Sequence, residues 1–170
     1  MKFKPASLKD ISALSLLGRI TYSESHAHFI DDKNDLLSYC ESAFSIKKTT
    51  EDFYDKNNLF YIAFVNDLPV GFAKIILKKS FENKTEKDSC RLERIYVLDH
   101  FIPMKIGQPF LDYITEKVKE HHATSIWLSV YIKNERGIRF YDKNKFKNIG
   151  SLSFDVNGKK YDNFVLSKKI

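Results

Sequence analysis

Most of the reactive side chains in this sequence stand alone. His26 and His28 would share one side of an extended segment, as two metal ligands can, but no third ligand of suitable spacing follows and no metal is expected. Cys40 and Cys90 fit neither a metal nor a redox spacing and sit in no nucleophile motif, so they are expected as buried small hydrophobes rather than a disulfide. No Ser-His-Asp or Cys-His set can be assembled. His121 and His122 fall near the end of an expected helix, where partly charged imidazoles interact favourably with the dipole. The chemistry that spacing does suggest belongs to the backbone. Leu92-Glu93-Arg94-Ile95-Tyr96-Val97-Leu98 reads as a strand, a turn containing Pro103 follows, and Phe110, Leu111, Ile114 and Val118 then recur at helical spacing. A strand that feeds a helix through a tight turn aims unpaired N–H groups at one spot, and the helix dipole adds positive charge there. Such a turn binds anions such as pyrophosphate.

The surrounding elements follow from periodicity and punctuation. Lys2 to Lys4 predict a first strand stopped by Pro5, and Ser7 predicts an N-cap before Leu8, Ile11, Leu14, Leu17 and Ile20 at helical spacing. The segment 21–35 lacks clean periodicity, and Leu36, Leu37, Tyr39, Cys40 and Phe44 predict a second helical face. A further short helix closes over 52–57. Residues 59–65 predict a buried strand, 66–69 a turn and 70–77 its antiparallel return, with Gly71 allowing close packing or a bulge. The charged run 81–88 predicts a loop, so three antiparallel strands precede the anion turn. The main helix is expected from Gly107 to about His122, with Pro109 tolerable only in its first turn. Ser125-Ile126-Trp127-Leu128-Ser129-Val130 is the next strand. Its helical connection from 91–98 implies a parallel neighbour, hence a mixed sheet. A short helix over 134–141 and a hairpin turning at Asn157-Gly158 complete the chain.

The 170 residues, 43% hydrophobic and 14% aromatic, suit one globular domain over 1–170, and no apolar run approaches a membrane span. No leader opens the chain, so a cytoplasmic location is expected. The net charge of +6 is uneven: the stretch 24–55 holds eight acids against three lysines, a net −5, and leaves +11 on the rest. A basic body suits a phosphate-rich ligand, and an acidic patch a cationic partner. Nucleic acid is not expected as a partner, because the lysines are scattered and not interleaved with aromatics on one face.

Residues 92–98, followed by Ile106-Gly107-Gln108 and Phe110-Leu111, resemble motif A of the GNAT superfamily of N-acetyltransferases. Residues 134–146, with Asn134, Phe140, Tyr141 and Phe146 in place, resemble its motif B. The order of segments along the chain is most similar to the PaiA-type spermine/spermidine acetyltransferases. The resemblance implies an α/β (α+β) fold of the GNAT type, a mixed and mostly antiparallel sheet of about seven strands with helices on both faces. It implies acetyl-CoA as cosubstrate, with the backbone of Ile95, Tyr96 and Val97 along the pantetheine. Ile102, Lys105, Ile106, Gly107 and Gln108 lie at the pyrophosphate turn, and Asn134 and Tyr141 complete the site. The chain departs from the pattern at Ile102, where Gln or Arg is usual, and at Lys105, where the first signature glycine is usual. Gly137 stands in place of alanine and Lys145 in place of the last glycine.

Attack of an amine on a thioester needs a neutral nucleophile, donors for the oxyanion and a proton for the departing thiolate. By the resemblance Tyr141 stands beside the coenzyme sulfur and supplies that proton, or else it is a core tyrosine following Phe140. Glu93 accepts the amine proton directly or through water, or is merely paired to Arg91 or Arg94. The acceptor expected is the primary amine of a small molecule or a peptide; the acidic stretch points to a polyamine, and a peptide N-terminus or a lysine would satisfy the same chemistry. A catalytically degenerate relative that keeps the cleft is the alternative reading. A homodimer stays open.

Overall fold

The computed structural model describes residues 1–156 and 158–170, Val156 by its backbone only. Its strands are β1 (Lys2–Pro5), β2 (Asn58–Val65), β3 (Leu68–Ile76), β4 (Ser89–Val97), β5 (Ser125–Tyr131), β6 (Lys147–Val156) and β7 (Lys159–Lys169). They form one seven-stranded sheet in the order β1-β2-β3-β4-β5-β7-β6. Every described pairing is antiparallel except β4 with β5. The helices are α1 (Ile11–His26), α2 (Lys33–Ala43), α3 (Ile46–Tyr54), α4 (Gly107–Glu120) and α5 (Glu135–Lys143). This is the mixed sheet with helices on both faces that the sequence led us to expect.

Two buried clusters divide the faces. Leu14, Leu17, Leu36, Cys40, Phe44, Phe60, Ile62 and Phe72 pack α1–α3 on one face. Phe110, Leu111, Ile114 and Val118 of α4 pack on the other, against Ala73, Ile75, Leu92, Ile126 and Leu128. Each of the four α4 side chains is at most 1% exposed, and burial of such a residue contributes about 1.5–3 kcal/mol. Both cysteines are free and buried.

Several element boundaries differ from the sequence-based expectation. The first helix runs on to His26 and buries Leu14, Leu17, Gly18 and Thr21, whereas Leu8 and Ile20 are exposed. Ser7 caps only a preceding 3₁₀ turn at Leu8–Asp10, which rotates the apolar face away from Leu8. Leu37 also points outward. The hairpin turn is narrower than 66–69: Asn66 and Asp67 alone have φ of 48° and 61°, as a type I′ turn requires, and Leu68 and Pro69 already belong to β3. The tight turn after β4 is a 3₁₀ segment, Asp99–Met104, ended by Lys105 at φ 56° and ψ 32°. The Asn157-Gly158 turn includes Asn157, outside the described residues; Gly158 itself has φ 81°.

Two bulges shape the centre of the sheet. Opposite Ala63 and Phe64, β3 carries one extra residue, and at the adjoining Gly71 a Cβ would lie 2.5 Å from the Tyr96 carbonyl oxygen. Close packing therefore requires glycine there. In β4 the register passes from Ile75↔Leu92 to Lys74↔Arg94, leaving Glu93 as the inserted residue.

Candidate functional site

The parallel pairing of β4 with β5 stops early. Only Ser89, Cys90 and Arg91 pair with Ser125, Ile126 and Trp127; beyond them the strands separate while β5 stays paired to β7 throughout. The backbone of β4 from Leu92 onward thus has no strand on its β5 side. Into this opening runs a cavity of roughly 1220 Å³, lined by 91–97 on one side and by Ser129, Val130 and Tyr131 on the other.

At one end the cavity reaches the start of α4. Gly107 and Gln108 are its first two residues, so their N–H groups have no intrahelical partner. Pro109 removes the third, and Ile106 brings no capping side chain. Lys105, Arg136 and Lys143 line the same end and add positive charge. Asn134 caps α5, its side-chain oxygen accepting the Gly137 N–H at 2.9 Å. A Cβ on Gly137 would approach that carboxamide to 2.9 Å, so the glycine in place of alanine makes room for the cap. Gln108 and Asn144 exchange amide hydrogen bonds of 2.7 and 3.0 Å, which fix the end of α5 to α4.

The non-glycine residue at the turn carries backbone strain. Lys105 occupies the left-handed region, where a residue with a Cβ loses about 1–2 kcal/mol relative to glycine. Lys105→Gly is therefore expected to raise stability by about 1 kcal/mol while weakening the hold on a phosphorylated ligand. Thermal unfolding and ligand titration of the same variant check the two opposite signs.

At the other end the cavity opens between α1, α2, β6 and β7, with aromatic walls from Tyr22, Phe29, Tyr39, Tyr96, Phe154 and Tyr161. His26 stacks on Tyr22 at 4.1 Å, and its Nδ1 lies 2.8 Å from Ser25 Oγ. Burial pushes its imidazole down to about 4, so it is neutral at physiological pH. His28 lines a smaller neighbouring pocket instead, so the two imidazoles do not converge. Among the described residues no group of three His, Cys, Asp or Glu side chains could hold a metal ion.

Glu93, Ile95, Tyr96, Val97, Ile102, Lys105, Gly107, Gln108, Asn134 and Tyr141 all line this one cavity. Ile106 does not: its side chain is fully buried in the core under α4, so any contribution from it is through the backbone. Tyr141 packs on Phe140 and Phe146 at 5.3 and 5.5 Å. Burial raises its phenol well above the usual value and keeps the proton on oxygen.

Glu93 is held by a buried network. Lys74, 4% exposed, donates to Asp52 Oδ2 at 2.6 Å and lies 2.7 Å from Glu93 Oε2; Arg91 is 3.7 Å from Glu93 Oε1, and Lys48 donates to Asp52 at 2.8 Å. Burial opposes the Glu93 charge, but the Lys74 ammonium and the two neighbouring arginines overcome it and hold the carboxyl below the ordinary range.

Sequence reasoning missed Arg91, Arg94, Arg136 and Lys143 as cavity residues. Motif comparison marks matching positions, and these side chains lie between them. Of the eight acids in 24–55, Asp35 is the one that lines the cavity among the described residues; it lies 3.4 Å from Lys159. Glu24 lines the smaller pocket and accepts the Asp99 N–H at 3.0 Å.

Residues 24–146 match the acetyltransferase (GNAT) family, and the chain belongs to it. Along its full length it is 20% identical to an uncharacterized N-acetyltransferase encoded in the pepI 3′ region of Lactobacillus delbrueckii subsp. lactis, covering 98% of that protein. Its fold is similar to that of the PaiA N-acetyltransferase of Thermoplasma acidophilum, whose crystal structure is a complex with coenzyme A. The TM-score is 0.73, at 22% identity over 100% of both chains. A ribosomal-protein-alanine N-acetyltransferase from Brucella melitensis has a TM-score of 0.70, at 18% identity over 100% of both chains.

Proposed function

We propose that this chain transfers an acetyl group from acetyl-CoA to a primary amine by direct attack. The observation that carries the reading is the cavity itself. It follows the opening between β4 and β5 from a cationic helix start to an aromatic chamber, with Tyr141 in its lining. An extended pantetheine can hydrogen-bond along the unpaired side of β4 as a strand would, and its pyrophosphate can meet Gly107, Gln108 and Lys105. In the reaction the amine nitrogen bonds to the acetyl carbon and the carbon–sulfur bond breaks. The Tyr141 phenol protonates the departing sulfur, and the amine gives its proton to Glu93 directly or through water. Family membership and the coenzyme A complex of the Thermoplasma relative support the coenzyme.

Titration calorimetry with coenzyme A tests the reading. Gly107→Val is expected to weaken binding at least tenfold, because the new side chain fills the approach to the first α4 amides, whereas Glu116→Val on the exposed face leaves it unchanged. No heat from the wild-type protein at millimolar coenzyme would remove the function. A cleft that binds without turnover is the competing reading, supported by Lys105 in the phosphate turn; release of free thiol from acetyl-CoA separates the two.

A polyamine is one finer form of the acceptor, and a peptide amine is the other. The resemblance to PaiA-type enzymes supports the polyamine, as do the aromatic walls, which favour cations, and Asp35. Most of the acidic stretch is engaged elsewhere, and Asp52 serves the Lys74 network.

A further inference from the structure

Resting on the acetyl-transfer reading, we propose that the acceptor is the terminal amine of a short peptide bearing a carboxylate, with Arg91 and Arg94 as the groups that hold that carboxylate. The bulge at Glu93 creates the arrangement. Without it, strict alternation would separate Arg94 and Tyr96 from Arg91 and Glu93. With it, Leu92, Ile95 and Val97 join the core under α4, and Arg91, Glu93, Arg94 and Tyr96 form a row on the opposite face. The chamber floor therefore alternates guanidinium, carboxylate, guanidinium and phenol.

Both guanidiniums keep donors to spare. Arg94 lies 4.3 Å over the Phe44 ring, its Nη1 donates to the Ala43 carbonyl at a long 3.4 Å, and it has no ion pair among the described residues. Arg91 lies 5.1 Å over Trp127; its Nε is buried out of a ligand's reach, and its Nη1 is 3.7 Å from Glu93, beyond hydrogen-bond distance, so the Nη groups are the donors left over. Its one carboxylate, Glu93, is closer to Lys74. Stacked, under-bonded guanidiniums suit a planar carboxylate, which they can grip in bidentate fashion. A polycation approaching Glu93 would instead meet a positive charge on each side.

The chamber also lacks a strong base. Glu93 is held in its ionised form by Lys74 and the imidazole of His26 stays neutral down to about 4, so neither takes a proton from a strongly basic amine with ease. The substrate must then arrive with its amine partly neutral. A peptide terminal amine, with a pKa of about 7.7–8.0, is roughly a third neutral at pH 7.5, against about one part in a thousand for an alkylamine near 10.4. That difference alone favours the peptide amine by more than a hundredfold.

The test follows thiol release from acetyl-CoA with alanyl-glutamate and alanyl-glutamine, each blocked as its C-terminal amide so that the glutamate side chain is the one carboxylate in the set, and with spermidine. Expected is a kcat/KM for alanyl-glutamate at least tenfold above alanyl-glutamine, with both above spermidine. Arg91→Met and Arg94→Met should each raise the alanyl-glutamate KM roughly tenfold to a hundredfold, as loss of a charge-assisted contact does, and bring the alanyl-glutamate to alanyl-glutamine ratio of kcat/KM toward one, a ratio in which any effect of the arginines on Glu93 cancels. Equal rates for the two dipeptides, or preference for spermidine, overturn the proposal. If a variant does not fold, the wild-type ratio decides. Coenzyme binding with no turnover of any amine overturns the acetyl-transfer reading itself, whereas turnover of spermidine alone removes only the peptide acceptor.

Discussion

Tyr141→Phe is expected to lower kcat by about 10²- to 10⁴-fold, the range of a general acid's contribution, with coenzyme affinity and melting temperature nearly unchanged. The substitution removes one oxygen and keeps the ring seated on Phe140 and Phe146. No described hydrogen bond from the protein holds the phenol, and its burial raises the pKa, so the proton stays on oxygen. Steady-state rates and a coenzyme titration on the same preparation check both halves. A kcat within twofold of wild type would remove Tyr141 as the acid.

Lys74→Met is expected to destabilise the fold by about 3–5 kcal/mol at neutral pH, because it leaves two buried carboxylates without their shared cation. Lys48 and Arg91 remain as partial partners of Asp52 and Glu93, which places the effect toward the lower end. The sign with pH follows from the carboxyls. Burial opposes the charge on Asp52, but Lys48 and Lys74 hold it below the ordinary range, as Lys74 and the arginines do for Glu93. Both therefore contribute stability above the unfolded carboxyl values of about 4, and it is lost as pH falls through the lower folded values. In the variant burial dominates, the carboxyls protonate more readily, and the difference from wild type narrows on acidification. Denaturant unfolding at neutral pH and near pH 4.5 measures this. A constant difference would show that the network is not electrostatic in origin.

The sheet and the turn into α4 were legible because their signals are local. The apolar face of α4 needs only 3.6-residue periodicity, and Phe110, Leu111, Ile114 and Val118 are all buried where that periodicity puts them. The chamber floor was not legible. Its composition depends on a bulge at Glu93, and inserting one residue leaves no mark in the local residue types; it is set by pairing with Lys74 and Ile75, nearly twenty residues away along the chain. Lys105 was recognised as an unusual residue for the turn, but its left-handed φ belongs to the 3₁₀ segment before it. Which acids of the 24–55 stretch face the cavity was not legible for a related reason. Counting charge along the chain gives −5, but helix geometry turns nearly all of it away from the cavity, and Asp52 is consumed by a buried lysine.

The early parting of β4 from β5 gives this protein a sheet edge on its inside. Exposed edges elsewhere are blunted because they invite a foreign strand, yet this one is sheltered by helices and by the hairpin of β6 and β7, so only a slender chain can reach it. A ligand lying there becomes a missing rung of the architecture as well as a reactant. Occupancy and cohesion are then a single quantity: at a hundredfold excess over Kd, such a ligand adds about 2.7 kcal/mol to the folded state.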